Sequence, residues 1–222
     1  MDPFGESDLK NAVDARFYAV NGRHPMTADD DAYAREWYIS VEKLARRAGV
    51  QPSELRRLIL ANRLPLPSYI LTDGTQMVAR DLLELPRRAG GYDELPEWFA
   101  QHFESTRDAI REWDGYLRGH YVCLRHVLPE TIRRKEALVK AIKAAAAEPQ
   151  PDDHAWLEAL HRLVDELDTL EPPFAAYDRL RFGGPISRDT CIDAIRKRFP
   201  RPAQSIRRRE GTPSPTARGA GV

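Results

Sequence analysis

The sequence predicts a mostly α protein carrying one small β-hairpin, with a compact unit at 37–90 followed by an α-helical bundle domain at 91–199. Three observations carry this expectation. Apolar residues recur at three- and four-residue spacing through most of the chain, the period of an amphipathic helix. Asp73-Gly74 stands between two short strand-like runs, Tyr69-Ile70-Leu71 and Gln76-Met77-Val78, the signature of a hairpin. Capping residues and prolines punctuate the periodic stretches where helices should start and stop.

Composition sets the outer bounds. A chain of 222 residues with 42% hydrophobic and 31% charged side chains has the make-up of a globular protein. No apolar run reaches the roughly 18 residues of a membrane span, so no membrane partner is predicted. The opening MDPFGESDLK is acidic and lacks an apolar core, unlike a secretory signal. Two cysteines give no disulfide framework, and a reducing cytoplasm is the expected compartment. The zero net charge hides an uneven distribution: 37–90 carries nine basic and five acidic residues, whereas 1–36 carries four and eight.

The elements follow in order. Residues 1–36 read as an N-terminal helical arm: Leu9, Val13, Phe17 and Val20 make a short periodic set, and Thr27 with Asp30 makes a cap for a second helix. Ser40 caps a helix whose inner face is Val41, Leu44 and Ala45. Gly49-Val50 breaks it, and Pro52 opens the next, with Leu55, Leu58 and Ile59 inward and Glu54, Arg56 and Arg57 outward. Leu64-Pro65-Leu66-Pro67 cannot be helical. The hairpin follows, then a short helix from about Arg80 to Leu85.

Helix, glycine turn, helix, hairpin, helix is the order of a winged helix-turn-helix with a small β-hairpin wing. Ser40-Val41, Leu44-Ala45, Ala48-Gly49-Val50, Arg63-Leu64-Pro65, Pro67 and Asp81-Leu82 together resemble the MerR-type and excisionase-type modules. That resemblance implies binding to double-stranded DNA through the second helix, with Arg46, Arg47, Arg56, Arg57 and Arg63 as the contact residues. It also departs from the pattern: the wing reads Ser68, Tyr69, Leu71 and Gln76 where arginines are usual.

The second half is purely helical. Phe99, Phe103, Thr106, Ile110, Trp113, Leu117, Tyr121 and Leu124 predict one long amphipathic helix from Leu95. A second helix runs from Glu130 to Ala147. A third, capped by Asp153, carries the stripe Trp156, Leu160, Leu163, Leu167 and Leu170, which suits a bundle seam or a homodimer contact. Ser187 caps a last helix, and 200–222 has the proline, glycine, serine and arginine content of a disordered tail. The stretches HPMTADDDAYARE, YLRGHYVCLRHVLPETIRRKEALV and WLEALHRLVDELDTLEPPFAAYDRLRFGGPISRD resemble an uncharacterised bacterial family catalogued with natural-product biosynthesis clusters. The resemblance implies a genomic association and no reaction.

Three groups of residues carry chemistry. His120, Cys123 and His126 fall on one side of the expected helix, but six residues separate the outer two by about 9 Å. That is too far for metal bonds of about 2 Å, so no metal or other cofactor is predicted. Cys123 and His126 remain as a candidate nucleophile and base. Arg179, Arg181 and Arg188 surround Gly183-Gly184 and Ser187, a candidate anion site at a helix start. The arginines of the helix-turn-helix are the third group. The leading expectation is a DNA-binding regulator whose helical half dimerises or senses a small-molecule ligand. The alternative is an enzyme or accessory factor with a pocket lined by His120, Tyr121, Cys123, His126 and Arg181.

Overall fold

The computed structural model describes residues 5–201. These residues are mostly helical, with one three-stranded antiparallel sheet. The tail expected at 200–222 falls, from 202 on, outside the described residues, as do residues 1–4.

The N-terminal segment forms α1 (Glu6–Asn21) and α2 (Ala28–Trp37). The Thr27–Asp30 cap forms as its residues predict: Asp30 N donates to Thr27 Oγ1 at 3.3 Å, and Thr27 N donates to Asp30 Oδ2 at 2.9 Å. Neither helix stands apart as an arm. Val13 and Phe17 of α1 are wholly buried, each contributing roughly 1.5–3 kcal/mol of apolar burial, and α1 packs on α4 (Pro52–Leu60).

Strand β1 (Ile39–Ser40) leads into α3 (Val41–Ala48). Lys43 N donates to the capping Ser40 Oγ at 3.1 Å. Gly49 ends the helix at φ +71°, a left-handed conformation that favours glycine, and α4 follows with Pro52 in its first turn. Strands β2 (Tyr69–Ile70) and β3 (Gln76–Val78) form the predicted hairpin, and β1 pairs with β3, giving the order β1-β3-β2. The hairpin tip is tied to α2: Arg35 meets Asp73 at 2.6 Å, and Thr72 N donates to Asp31 Oδ1 at 3.1 Å.

Helix α5 (Glu84–Ala89) begins four residues later than expected. The single long helix expected from Leu95 to Leu124 is corrected. It is broken into α6 (Leu95–Ala100), α7 (Thr106–Leu117) and a 3₁₀ turn, Tyr121–Cys123. Ser105 starts α7 afresh, its Oγ accepting from Asp108 N at 3.0 Å. Gly119, at φ +69°, ends it. Folding the stripe back on itself stacks Phe99, Trp113 and Tyr116, but leaves Ile110 65% exposed.

Helices α8 (Pro129–Ala147) and α9 (His154–Leu170) pack as a pair through Leu138, Ile142, Leu160, Val164 and Leu167. Asp153 caps α9, accepting from Ala155 N at 2.8 Å. The stripe on α9 therefore closes an intramolecular core. Helix α10 (Ala176–Arg181) and a π-helical turn (Arg188–Asp193) leading into α11 (Ala194–Arg198) are the last elements of the described residues. No helix among the described residues is long and apolar enough to cross a membrane.

Candidate functional site

The two halves meet at Gly119. Leu66 N donates to Leu117 O at 2.9 Å, and a β-carbon on Gly119 would lie 2.9 Å from Leu66 O. Beside this seam opens a cleft of about 430 Å³, within the range of small-molecule sites. One wall comes from the end of α2 and the segment after β3 (Glu36, Trp37, Tyr38, Val78 to Leu82, Leu85). Further lining comes from α7 and the turn after it (Tyr116, Gly119, Tyr121, Val122, Leu124 to Val127), with Pro65, Leu66, Ser68 and Pro172.

Polar groups along the cleft are mostly engaged. Tyr38 donates its hydroxyl to Val122 O at 2.9 Å, and Tyr121 donates to the buried Glu112. Tyr116 differs: it is 3% exposed, yet its hydroxyl finds no partner among the described residues. Burial first, then the nearby Asp81 and Tyr92, push its pKa above the ordinary tyrosine value, so it stays a protonated donor. Leaving such a buried donor unpaired costs about 1–3 kcal/mol.

The stretch that looked like a metal or nucleophile site is rearranged by the broken helix. His120, Cys123 and His126 do not share a helical face. His120 sits edge-on to Phe182 at 6.0 Å, and burial, then Arg181 and Arg118, lower its pKa. His126 is exposed at the cleft mouth, its Nδ1 3.2 Å from Asp81 Oδ2. Cys123 lies beside Lys135 instead. Burial alone would lower the Lys135 pKa, but the Cys123 sulfur and the Glu171 carboxylate lift it above the ordinary value. Lys135 Nζ stands 3.1 Å from Glu171 Oε1, which also accepts from Ser187. No group of three or more His, Cys, Asp or Glu side chains among the described residues is placed to hold a metal.

At the expected anion site the arginines are engaged by the protein's own acceptors. Arg179 pairs with Asp189, and Arg188 pairs with Asp168 while donating to Pro172 O. Arg181 is a staple between the halves, donating to Asn21 Oδ1 at 2.7 Å, Ser68 O at 2.7 Å and Gly119 O at 3.0 Å. Ser187 gives its hydroxyl to Glu171 rather than capping a helix.

Among the expected DNA contacts, Arg56 is placed on the wrong side. It is 1% exposed, donating to Gln76 Oε1 at 2.9 Å and pairing with Glu6 and Glu42. A guanidinium held there by α1 and the hairpin cannot reach a groove. Arg63 pairs with Asp93 at 3.0 Å. Arg46, Arg47 and Arg57 are exposed around the Gly49 turn.

Of the alternative pocket's residues, Tyr121 and His126 line the cleft, while His120, Cys123 and Arg181 stand outside its lining. Sequence reasoning placed none of Trp37, Arg80, Tyr116 and Arg125 in this cleft. Tyr116 lay off the stripe taken for the helix's inner face, and only its burial reveals it.

Comparison with known proteins adds one match. Residues 95–200 match a family of unknown function (DUF6058), so the similarity spans α6 to α11 and leaves α1 to α5 and the hairpin outside it. No curated protein and no solved structure matches the chain.

Proposed function

We propose that the protein binds a small, largely aromatic molecule in the cleft between its two halves, and that this binding is its regulatory input. The observation that carries the reading is Tyr116, which lines the cleft and whose buried hydroxyl has no partner among the described residues. A ligand oxygen or ring nitrogen accepting from it removes a standing cost of the free protein. The aromatic walls (Trp37, Tyr38, Tyr121) suit a planar body. Titration with 2-naphthol tests this. Saturable binding that raises the unfolding temperature is expected in the wild type, with loss in Ala79→Trp, which fills the cleft. Tyr116→Phe should weaken binding about five- to tenfold, one hydrogen bond's worth, without destabilising the free protein. Equal binding by Ala79→Trp would overturn the reading.

A second reading, DNA binding by the helix-turn-helix as a winged unit, is favoured by one observation: Lys43, Arg46, Arg47 and Arg57 are all exposed on α3 and α4. In this reading phosphate contacts dominate, so affinity falls steeply with salt. A gel shift with the DNA upstream of the protein's own coding sequence, comparing the wild type with Arg46→Ala/Arg47→Ala, tests it. Absence of any shift at low salt removes it.

A further inference from the structure

Two guanidinium groups stand at the cleft mouth, and one residue organises both. Arg80 donates from Nε to Trp37 O at 3.1 Å and from Nη2 to Glu36 O. Arg125 lies over the Trp37 ring, 4.7 Å from its centroid. Both are exposed and both line the cleft. Among the described residues neither is paired with a carboxylate, whereas Arg88, Arg111, Arg134, Arg179, Arg188 and Arg196 all are. Of the acidic groups lining the same cleft, Asp81 is engaged by His126, and Glu36 contributes its backbone carbonyl to Arg80.

We propose that the cleft takes an aromatic carboxylate or a similar planar anion: its ring lies between Trp37 and Tyr121, a polar atom at one end accepts from Tyr116, and the anionic group at the other end sits between Arg80 and Arg125. The inference rests on the cleft being a ligand site and adds the charge of the ligand. A guanidinium presents parallel donors that match a carboxylate, and such charge-assisted bonds are about twice as strong as neutral ones. Trp37 holds both groups before any ligand arrives, which limits the ordering that binding must impose. The two kinds of polar group also give specificity. A molecule with an acceptor alone satisfies Tyr116 and leaves the rim unmatched, while one with both ends satisfies the whole cleft.

Calorimetric titration of the full chain with 6-hydroxy-2-naphthoate and with 6-hydroxy-2-naphthamide tests this, since the two differ only in charge at the rim. The acid should bind at least tenfold more tightly than the amide at low salt, and the preference should shrink as sodium chloride is raised. Arg125→Ala, an exposed substitution, should reduce the preference for acid over amide to threefold or less. Equal affinity for acid and amide in the wild type would overturn the anion assignment and leave the ligand site standing. Binding of neither would overturn both. A preference that survives both salt and Arg125→Ala would place the anion elsewhere and overturn the assignment.

Discussion

Arg56 and Gln76 form a buried bond at the centre of the N-terminal half, Nε to Oε1 at 2.9 Å, with the arginine 1% exposed and the glutamine wholly buried. Gln76 in turn donates to Asp14 Oδ1 at 2.7 Å and to Lys10 O at 3.1 Å. The pair therefore locks α1, α4 and the hairpin together. Arg56→Ala should lower unfolding stability by roughly 2–3 kcal/mol, because it strands Gln76 while Glu6 and Glu42 remain partly hydrated. Arg47→Ala, at an exposed position, should change stability by no more than about 0.5 kcal/mol. Urea unfolding compares them, and equal stability of the two variants would show that Arg56 is not a structural residue.

The helical period of α4 was legible in the sequence, and so were the caps at Thr27, Ser40 and Asp153, the Asp73-Gly74 hairpin and the apolar stripe of α9. These depend on neighbours in the chain. The inward turn of Arg56 was not legible, because it depends on Glu6 and Gln76, 50 and 20 residues away. The break after Ala100 was hidden by an apolar stripe that continues in register across it. The cleft shared that fate: its lining comes from five separate stretches of the chain, the longest of them lying beyond that same break.

Gly119 is required twice over, by its positive φ and by its approach to Leu66 O. Gly119→Ala should cost about 2 kcal/mol, a drop of roughly 4–8 °C in Tm for a chain of this size. Calorimetry reads this directly. An unchanged Tm would mean that the seam relaxes freely.

The hairpin tip should be acid-sensitive. Hydrogen bonds from Thr75, then the Arg35 guanidinium, hold the Asp73 pKa down at about 2, below the ordinary value of 3.8. A depressed carboxylate contributes stability that is full above its unfolded pKa and is lost as pH falls through its folded one. Exchange of the Thr75 amide, which donates to Asp73 at 2.9 Å, should therefore lose protection between about pH 4 and pH 2. In Arg35→Ala the loss should begin at higher pH. A midpoint near 4 in the wild type would contradict the contact.

Lys135 should matter more to the helical half than Cys123. Removing its charge strands Glu171, wholly buried and with Oε2 already unpartnered among the described residues. Lys135→Met should cost roughly 3–5 kcal/mol, and adding Glu171→Leu should restore part of it. Because the Lys135 pKa is raised, its contribution is full below its unfolded value near 10.5 and is lost only as pH rises through the higher folded value. Strict additivity of the two substitutions would show that the pair is not coupled.

The cleft as a ligand site is tested most directly by nuclear Overhauser effects in the protein saturated with 2-naphthol. The account predicts cross-peaks from the naphthol ring protons to the rings of Tyr116, Tyr121 and Trp37. Cross-peaks confined to the exposed Ile110, or to any face remote from Gly119, would contradict it.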